Sequence, residues 1–478
     1  TGPATELYGP YEDNTIVPKP MENALGIKPR HGQQVTDSKL CASCHNILLP
    51  VFNNDGTLHT LRTVKGERIQ ASYEQATGLE WDNSDFAKPG ESFKSCQDCH
   101  MPTELHTVHG QTSQPLPLTP IKIAVIQDDT SAPTTYSLPV EDITQTERDR
   151  FSRHALHGLN LFLNEMFQQF PLLLGLRQID ALVTNPETPE TFKIQPGLIT
   201  GRNSMLQMAS QQTADLKISS LEVAHNGRLH VKVLVTNKAG HSLPSGVAFR
   251  RMFLELVVKD IDGKPIWASG LTNELGVILD GLTGKPLRTE NAYTNRSKFQ
   301  PHYQQITKGS QVQIYEELYT DSAGELTTSF LRRVHSVKNN RLKPKGFDPE
   351  TFENNPSPYI QELGELVGNV ADDPYYANPQ LTGADEIEYV IPFTQDQSAR
   401  LGNVTVALYS QSIPPFYLQQ RFADANAGPA EKEEIQRLYY LTSHLNTETP
   451  ADTAGIKQWK LKVAAACAQV QSQEVCQN

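Results

Sequence analysis

The sequence predicts an α+β fold with three parts: a loop-rich, mainly helical N-terminal region, an antiparallel β-sandwich domain and a helical C-terminal tail. Three observations support this prediction. Residues 1–140 are rich in proline, glycine and polar residues, with few long periodic segments. Residues 146–170 repeat apolar side chains at helical spacing. After Asp215 the pattern changes to strand-like alternation, broken by Asn-Gly and Asp-Gly turns.

The length of the chain, 478 residues, exceeds what one hydrophobic core usually holds, so two or three domains are expected. We place an N-terminal region at 1–215 and a β-sandwich domain at 216–420. The β domain carries a loop-rich insertion at about 291–384, and the tail covers 421–478.

The composition is typical of a soluble globular protein, without an apolar run long enough to cross a membrane. The net charge of −12 argues against binding to nucleic acid or to anionic membrane surfaces, and it favours soluble, basic partners. Because the chain starts at Thr1 without a leader-like apolar segment, we expect that a leader was removed.

Two C-x-x-C-H pentapeptides in the N-terminal region are the most specific motifs, and they lie at 41–45 and 96–100. This spacing is typical of c-type haem attachment. Two thiols three positions apart add to the two vinyl groups of one porphyrin, and the histidine that follows binds the iron. The motifs therefore predict two haem c groups. The covalent attachment residues would be Cys41, Cys44, Cys96 and Cys99, and the proximal ligands would be His45 and His100.

The two alternatives for these motifs are a zinc ribbon and a redox dithiol. A zinc ribbon needs cysteine pairs roughly 15–20 residues apart, and these pairs are much farther apart in the sequence. A redox dithiol gives no reason for a histidine to follow both pairs. Haem attachment accounts for both features.

The clearest predicted helix covers 146–170, with a Thr-Glu start and Pro171 after its end. His154 lies on it as a candidate distal iron ligand, since Gly158 leaves space for a porphyrin on the same helix face. His157 is the main rival, and the alternative for His154 is a helix histidine bonded to a carbonyl or a propionate. A second helix is predicted at 202–214.

The β domain is predicted from two hairpins, with turns at Asn226-Gly227 and Asp262-Gly263, and from further strands at 386–392 and 403–410. Together they suggest about seven strands. His241 lies in a Gly/Pro-shaped turn between two of them and is a second candidate distal ligand. Its alternative role is that of a structural histidine at a domain interface.

The tail is predicted to be helical at 429–446 and at 453–470. Once four cysteines are assigned to haem, Cys467 and Cys476 remain, and we expect them to form a disulfide that closes a short loop. The alternative is two free thiols.

The surroundings of the motifs carry a family resemblance. The segments that carry it, in chain order, are LCASCHNILLPV, YEQATGLEWDNS, SCQDCHMP, RHALHGLNLFL, NKAGHSLPSGVAFRR and VALYSQSIPPFYL. The chain resembles bacterial multihaem c-type cytochromes with an N-terminal haem region and a C-terminal β domain with a GHSLPSG-type motif. The resemblance covers roughly 30–290 and 385–420. It implies a secreted electron-transfer protein, and it also points to His154 and His241.

A third candidate distal ligand is His31, which precedes the first motif, and His106 and His109 follow the second motif closely. Three main candidates for two positions mean that at least one is wrong. Methionine ligation is less favoured, because Met101 directly follows a proximal histidine. Two histidine ligands on each iron favour a fairly low reduction potential.

Three functions compete on the sequence alone. The leading one is a secreted dihaem electron carrier or relay, without catalytic residues, that exchanges electrons with redox partner proteins. The second is a dihaem oxidoreductase, peroxidase-like or acting on a small nitrogen or sulfur compound, with one open distal face. The third is an extracellular cytochrome that forms a homo-oligomer or filament. All three imply a periplasmic or extracellular location.

Overall fold

The computed structural model describes most of the chain. The described ranges are 5–16, 18–63, 65–101, 104–109, 112–117, 121–125, 144–148, 152, 154, 156–176, 182–184, 191–193, 197–290, 298–424, 432–448, 456–472, 474 and 476. Among these residues, no helix is both long enough and apolar enough to span a bilayer.

The helices of the described residues are mostly short. They are α1 (Lys19–Leu25), α2 (Ser38–Ala42), α3 (Thr77–Asp82), α4 (Cys96–His100), α5 (Leu161–Gln169), α6 (Gly197–Gln207), α7 (Pro349–Glu353), α8 (Pro358–Gln361), α9 (Pro374–Ala377), α10 (Gln395–Ser398), α11 (Pro415–Asp424) and α12 (Lys432–His444).

The strands are spread over the whole chain. They are β1 (Glu6–Gly9), β2 (Lys28–His31), β3 (Asn46–Pro50), β4 (Leu61–Arg62), β5 (Arg68–Ile69), β6 (Ala71–Ala76), β7 (Glu104–His109), β8 (Thr112–Pro117), β9 (Ile121–Val125), β10 (Thr144–Arg148), β11 (Leu182–Thr184), β12 (Thr191–Lys193), β13 (Ala214–Val223), β14 (Arg228–Asn237), β15 (Arg251–Asp260), β16 (Pro265–Ser269), β17 (Gln305–Ile306), β18 (Ile314–Thr320), β19 (Leu326–Thr327), β20 (His335–Asn339), β21 (Ala384–Pro392), β22 (Leu401–Gln411) and β23 (Leu461–Gln469).

The chain divides into two compact units, and both are discontinuous in sequence. The first unit contains Thr1–Cys44 and Lys94–His157, and the second contains His45–Phe93 and Gly158–Asn478. These boundaries differ from the predicted domains, because residues 45–93 belong to the second unit. Hydrogen bonds inside that unit show why: Arg333 donates to the Tyr73 carbonyl at 2.7 Å, and Asn83 donates to the Asp348 carbonyl at 2.8 Å.

The first unit contains only two-stranded pairings among its described residues. Strands β1 and β2 pair in parallel, and β7 with β8 and β9 with β10 pair antiparallel. Its helices are α1, α2 and α4.

The second unit is built around two sheets. One has the order β13-β14-β21-β17, and the other has the path β19-β18-β15-β22-β23, with β16 beside β15 and β20 beside β18. Every pairing in them is antiparallel except β17 with β21. The two sheets bury their alternating apolar side chains in one shared core. The α+β fold class as a whole stays a prediction.

Both predicted hairpins are confirmed. Strands β13 and β14 pair across Asn226-Gly227, and β15 and β16 pair across Asp262-Gly263. Gly227 and Gly263 both have φ of +79°, which glycine adopts without the steric cost that other residues meet. The strands predicted at 386–392 and 403–410 lie within β21 and β22, and the helix predicted at 202–214 corresponds to α6 and a π-turn at Met208–Thr213.

The helix predicted at 146–170 is wrong over most of its length, because among the described residues of this range only Leu161–Gln169 is helical. Thr144–Arg148 is strand β10, paired with β9. Leu156 has φ of +53°, a left-handed conformation that interrupts a helix. The helix begins after Asn160, whose side chain accepts a hydrogen bond from Leu163 N at 3.2 Å.

The second predicted tail helix, at 453–470, is also wrong. Residues Leu461–Gln469 form β23, which pairs antiparallel with β22 and buries Leu461 and Val463. The alanine-rich sequence favours a helix locally, but the free edge of β22 and the shared core favour a strand. The predicted disulfide between Cys467 and Cys476 is present, with Cα atoms 5.4 Å apart.

Candidate haem-attachment site

The first C-x-x-C pair lies at the end of α2. Asp37 caps this helix by accepting a hydrogen bond from Lys39 N at 2.9 Å. Cys44 N donates to the Cys41 carbonyl at 3.1 Å, so the two cysteines lie on one turn of the backbone. Cys44 is exposed and Cys41 is half-buried. Two thiols on one turn fit attachment to neighbouring vinyl groups of a single porphyrin.

The boundary between the two units falls inside this motif, after Cys44. In the second unit, the His45 side chain is exposed and its carbonyl accepts a hydrogen bond from Gly78 N at 3.3 Å. Asn46 next to it accepts a hydrogen bond from Leu79 N at 3.1 Å. The start of α3 therefore holds the backbone at His45 and leaves its imidazole accessible.

The second motif forms the whole of α4, and a capping box fixes its start. Ser95 Oγ accepts a hydrogen bond from Asp98 N at 3.2 Å, while Ser95 N donates to Asp98 Oδ2 at 2.8 Å. This pairing positions a helix of one and a half turns, with Cys96, Cys99 and His100 in fixed order along it.

The two motif helices lie side by side within the first unit. Cys96 N donates to Ser38 Oγ at 3.0 Å, across from α4 to α2. Gln97 Nε2 donates to the Val35 carbonyl at 3.1 Å and to the Asp37 carbonyl at 3.0 Å. Hydrogen bonds at the starts of the two helices thus bring all four predicted attachment cysteines into one small region.

Two of the four cysteines, Cys41 and Cys99, have a raised pKa, which favours the neutral thiol. Burial raises the pKa of Cys41, and a hydrogen bond with the Cys96 thiol adds to this rise. Burial likewise raises the pKa of Cys99. Because zinc binds the thiolate, these environments do not favour a zinc site. Among the described residues, the four cysteines also do not form a cluster with ligand atoms within 4.8 Å of one another.

His100 is oriented by a backbone group. Its Nδ1 lies 2.7 Å from the carbonyl oxygen of His157. A carbonyl can only accept, so Nδ1 carries the proton and the lone pair of the neutral ring is on Nε2. Metal-binding histidines commonly donate their second nitrogen in this way, which fixes the ring and raises its basicity. His100 therefore fits the role of a proximal ligand.

The segment 154–157 lies against the second motif, although not as the predicted helix. Leu156 N donates to the His100 carbonyl at 2.9 Å, in addition to the bond from His100 to His157. The side chain of His154 is exposed, and the His157 side chain is half-buried. Because His154 and Gly158 are not helical, they do not share a helix face as predicted.

His31 ends strand β2 and contacts the N-terminal segment of its own unit. Its backbone N donates to Asp13 Oδ1 at 2.6 Å, and its Nδ1 lies 3.3 Å from the Tyr11 carbonyl. Its Nε2 is 3.8 Å from Glu12 Oε1. Both ring nitrogens of His31 therefore lie near an oxygen atom of the N-terminal segment. The role of His31 as a distal ligand stays a prediction. The side chains of His106 and His109 lie outside the described residues.

His241 lies in the second unit, in the loop between β14 and β15, and it is half-buried. Its Nδ1 is 3.2 Å from the Ser242 carbonyl, and its own carbonyl accepts from Asn237 Nδ2 at 2.9 Å. Ser242 N donates to Glu80 Oε2 at 3.0 Å. His241 is thus held rigidly beside a buried carboxylate, and its role as a distal ligand stays a prediction.

A buried polar cluster in the second unit, formed by His302, Asp373 and Asp385, was not predicted from the sequence. His302 Nε2 lies 2.9 Å from Asp373 Oδ2, and its Nδ1 lies 3.0 Å from Gln313 Nε2. Both ring nitrogens are therefore already engaged. The cluster is a hydrogen-bond network whose members come from distant parts of the chain.

Comparisons with known proteins give one structural similarity. No family model matches the chain, and no curated protein matches it in sequence. The crystal structure of a penta-heme cytochrome c552 from Thermochromatium tepidum is similar with a TM-score of 0.39 and 12% sequence identity. The match covers 93% of this chain and 59% of that chain, so this chain spans about three fifths of that protein's length.

Proposed function

We propose that this protein is a dihaem c-type cytochrome that transfers electrons as a secreted carrier or relay. The observation that carries the proposal is the pairing of α2 and α4. Helix α2, which contains Cys41 and is followed by Cys44, is joined to α4, which contains Cys96 and Cys99, by the bond from Cys96 N to Ser38 Oγ at 3.0 Å. Covalent groups attached to neighbouring helices would lie close together, as transfer of an electron from one to the other requires.

Each residue has a defined task in this proposal. The four cysteines hold the two porphyrins by thioether bonds, and His45 and His100 bind the irons. A haem supplies a one-electron couple at its iron when it is bound. The His157 carbonyl keeps the proton of His100 on Nδ1, at 2.7 Å, so that Nε2 can bind.

His154, His241 and His31 are proposed as candidates for the two distal positions. His154 is proposed because its side chain is exposed. The bond between the His157 carbonyl and His100 Nδ1 lies on the side of the ring that faces away from the iron, so it assigns His154 to neither haem. His241 is favoured by its rigid loop, fixed through Asn237 and Ser242. Two histidine ligands on each iron would give low-spin centres of fairly low potential.

The proposed location is periplasmic or extracellular. The disulfide between Cys467 and Cys476 supports it, because disulfides persist in oxidising compartments. The proposed partners are redox proteins with basic surfaces, because the chain carries a net charge of −12. A homo-oligomer or filament is a further form that this carrier could take.

The test is absorption and electron paramagnetic resonance of the purified protein, oxidised and reduced, with and without carbon monoxide. We expect two haems per chain, both low-spin and both indifferent to carbon monoxide. The double variant Cys96→Ser/Cys99→Ser should retain one haem, and Cys467→Ser/Cys476→Ser is the matched control that should retain two. A high-spin signal that binds carbon monoxide would indicate an open distal face and the oxidoreductase alternative.

A further inference from the structure

The second unit contains a cavity of about 370 Å³ that the haem motifs do not use. It lies between the segment 59–80 and residues 317–367, the latter from the predicted insertion. Its size is at the lower end of the range for pockets that bind small molecules.

Lys343 lines this cavity and is 3% exposed. Its Nζ lies 4.8 Å from the centre of the Phe347 ring, and among the described residues no carboxylate lies within 4.0 Å of it and no group hydrogen-bonds to it. Burial is the largest cause that lowers the pKa of Lys343 to about 8. The nearby Arg341 contributes to this lowering, while Glu80 and Glu317 oppose it. Because this buried ammonium has no carboxylate in ion-pair contact among the described residues, this side of the cavity favours an anion.

The other cation at this end of the cavity is already neutralised. Arg341 lies 2.9 Å from Glu80 Oε1 and 3.7 Å from Glu317 Oε1. Glu80 accepts a further bond from Ser242 N, and Glu317 accepts one from Tyr319 OH at 3.0 Å. Burial alone would raise the pKa of Glu80, but Arg341 and Lys343 outweigh it and the pKa is lowered. Among the described residues, Glu80 and Glu317 thus form their close ion pairs with Arg341, and they act on Lys343 only over a longer distance.

The other side chains that line the cavity suit a ligand that has an anionic group and an apolar body. Phe347, Phe352 and Tyr319 supply aromatic surface next to Lys343. Glu362 also lines the cavity, and burial raises its pKa to about 7, with Glu365 adding to the rise. A carboxyl that is partly protonated near neutral pH repels an anion less than an ionised one does.

We propose that this cavity is a binding site for a carboxylate, with Lys343 Nζ as its ionic partner and the aromatic walls packing its apolar body. A free small organic acid has this chemistry. The proposal itself does not depend on haem attachment.

The first experiment is a calorimetric titration of the purified full-length protein with benzoate, and with benzamide as a neutral probe of the same shape. We expect saturable binding of benzoate and much weaker binding of benzamide. Lys343→Met should weaken benzoate binding roughly ten- to a hundredfold, the range for loss of a hydrogen bond to a charged group. Lys264→Met, at an exposed lysine of the same unit, is the matched control and should bind as the wild type does.

A second variant keeps the test independent of folding defects. Lys343→Gln, with a polar end, replaces Lys343→Met if that variant does not fold.

Equal binding of benzoate and benzamide, or unchanged benzoate binding in the Lys343 variants, would overturn the proposal. So would the absence of benzoate binding. A protein without a haem absorption band would instead overturn the proposed function, and the benzoate titration could still be made on it.

Discussion

Asp385 is a fully buried carboxyl group near the start of β21, and its surroundings predict how stability depends on pH. Its Oδ2 accepts hydrogen bonds from Gln313 Nε2 at 3.0 Å and from Tyr315 OH at 2.8 Å. Among the described residues, its Oδ1 has no hydrogen-bond partner. Burial is the largest cause that raises the pKa of Asp385 to about 6.

The size of the effect follows from this pKa. The ordinary value for aspartate is 3.8, and each tenfold change in proton affinity corresponds to about 1.4 kcal/mol. Folding therefore favours the protonated form by about 3 kcal/mol. Because the pKa is higher in the folded chain, this stabilisation is fully present below pH 3.8. It is lost as the pH rises through 6.

The perturbation is Asp385→Asn, which keeps the shape of the protonated carboxyl and removes its titration. Urea unfolding followed by circular dichroism between pH 4 and pH 8 gives the free energy of unfolding for wild type and variant. We expect the variant to gain about 3 kcal/mol relative to wild type over this range. Asp396→Asn, at an exposed position, should follow the wild type. A difference between Asp385→Asn and wild type that is constant with pH would refute the reasoning.

Three further perturbations have defined outcomes in urea unfolding. Ser95→Ala removes the capping box of α4 and should cost about 1 kcal/mol, and an unchanged midpoint would contradict the role of the cap. Arg251→Met leaves Glu290 buried without its partner, bonded at 2.6 and 2.9 Å, and should cost about 3–5 kcal/mol. The double variant Arg251→Met/Glu290→Met should recover most of this loss, and failure to recover would show that the pair itself stabilises. Cys467→Ala/Cys476→Ala opens a short loop and should cost about 3 kcal/mol, which a wild-type midpoint would exclude.

The parts of the fold that sequence reasoning predicted are those with local signals. An Asn-Gly or Asp-Gly pair between alternating runs is sufficient to predict a hairpin, because only a few turn types bring two strands together there. The disulfide followed from counting cysteines. The second C-x-x-C-H motif was also identified from its spacing alone, and its residues Cys96, Cys99 and His100 all lie on α4.

The predictions that were wrong concern segments whose structure depends on contacts with residues far away in the sequence. Residues 146–170 have apolar side chains at helical spacing. The backbone at Leu156 and His157, however, forms hydrogen bonds with His100, some fifty residues earlier in the chain. No pattern in the local sequence indicates this contact. The strand at Leu461–Gln469 forms because β22 offers a free edge. The cluster around His302 and the cavity around Lys343 join segments far apart in sequence, so no motif could indicate them.

The hydrogen bond that orients His100 is accepted by a peptide carbonyl. The side chain at position 157 is therefore not needed for this contact. Every amino acid at position 157 supplies the same oxygen atom, so the side chain there can vary while the imidazole keeps its tautomer and its direction. A scan of side-chain substitutions would find the position tolerant. The contribution of His157 would become visible only when the amide itself is altered, for example by an ester in place of the peptide bond that follows it, which weakens the carbonyl as an acceptor.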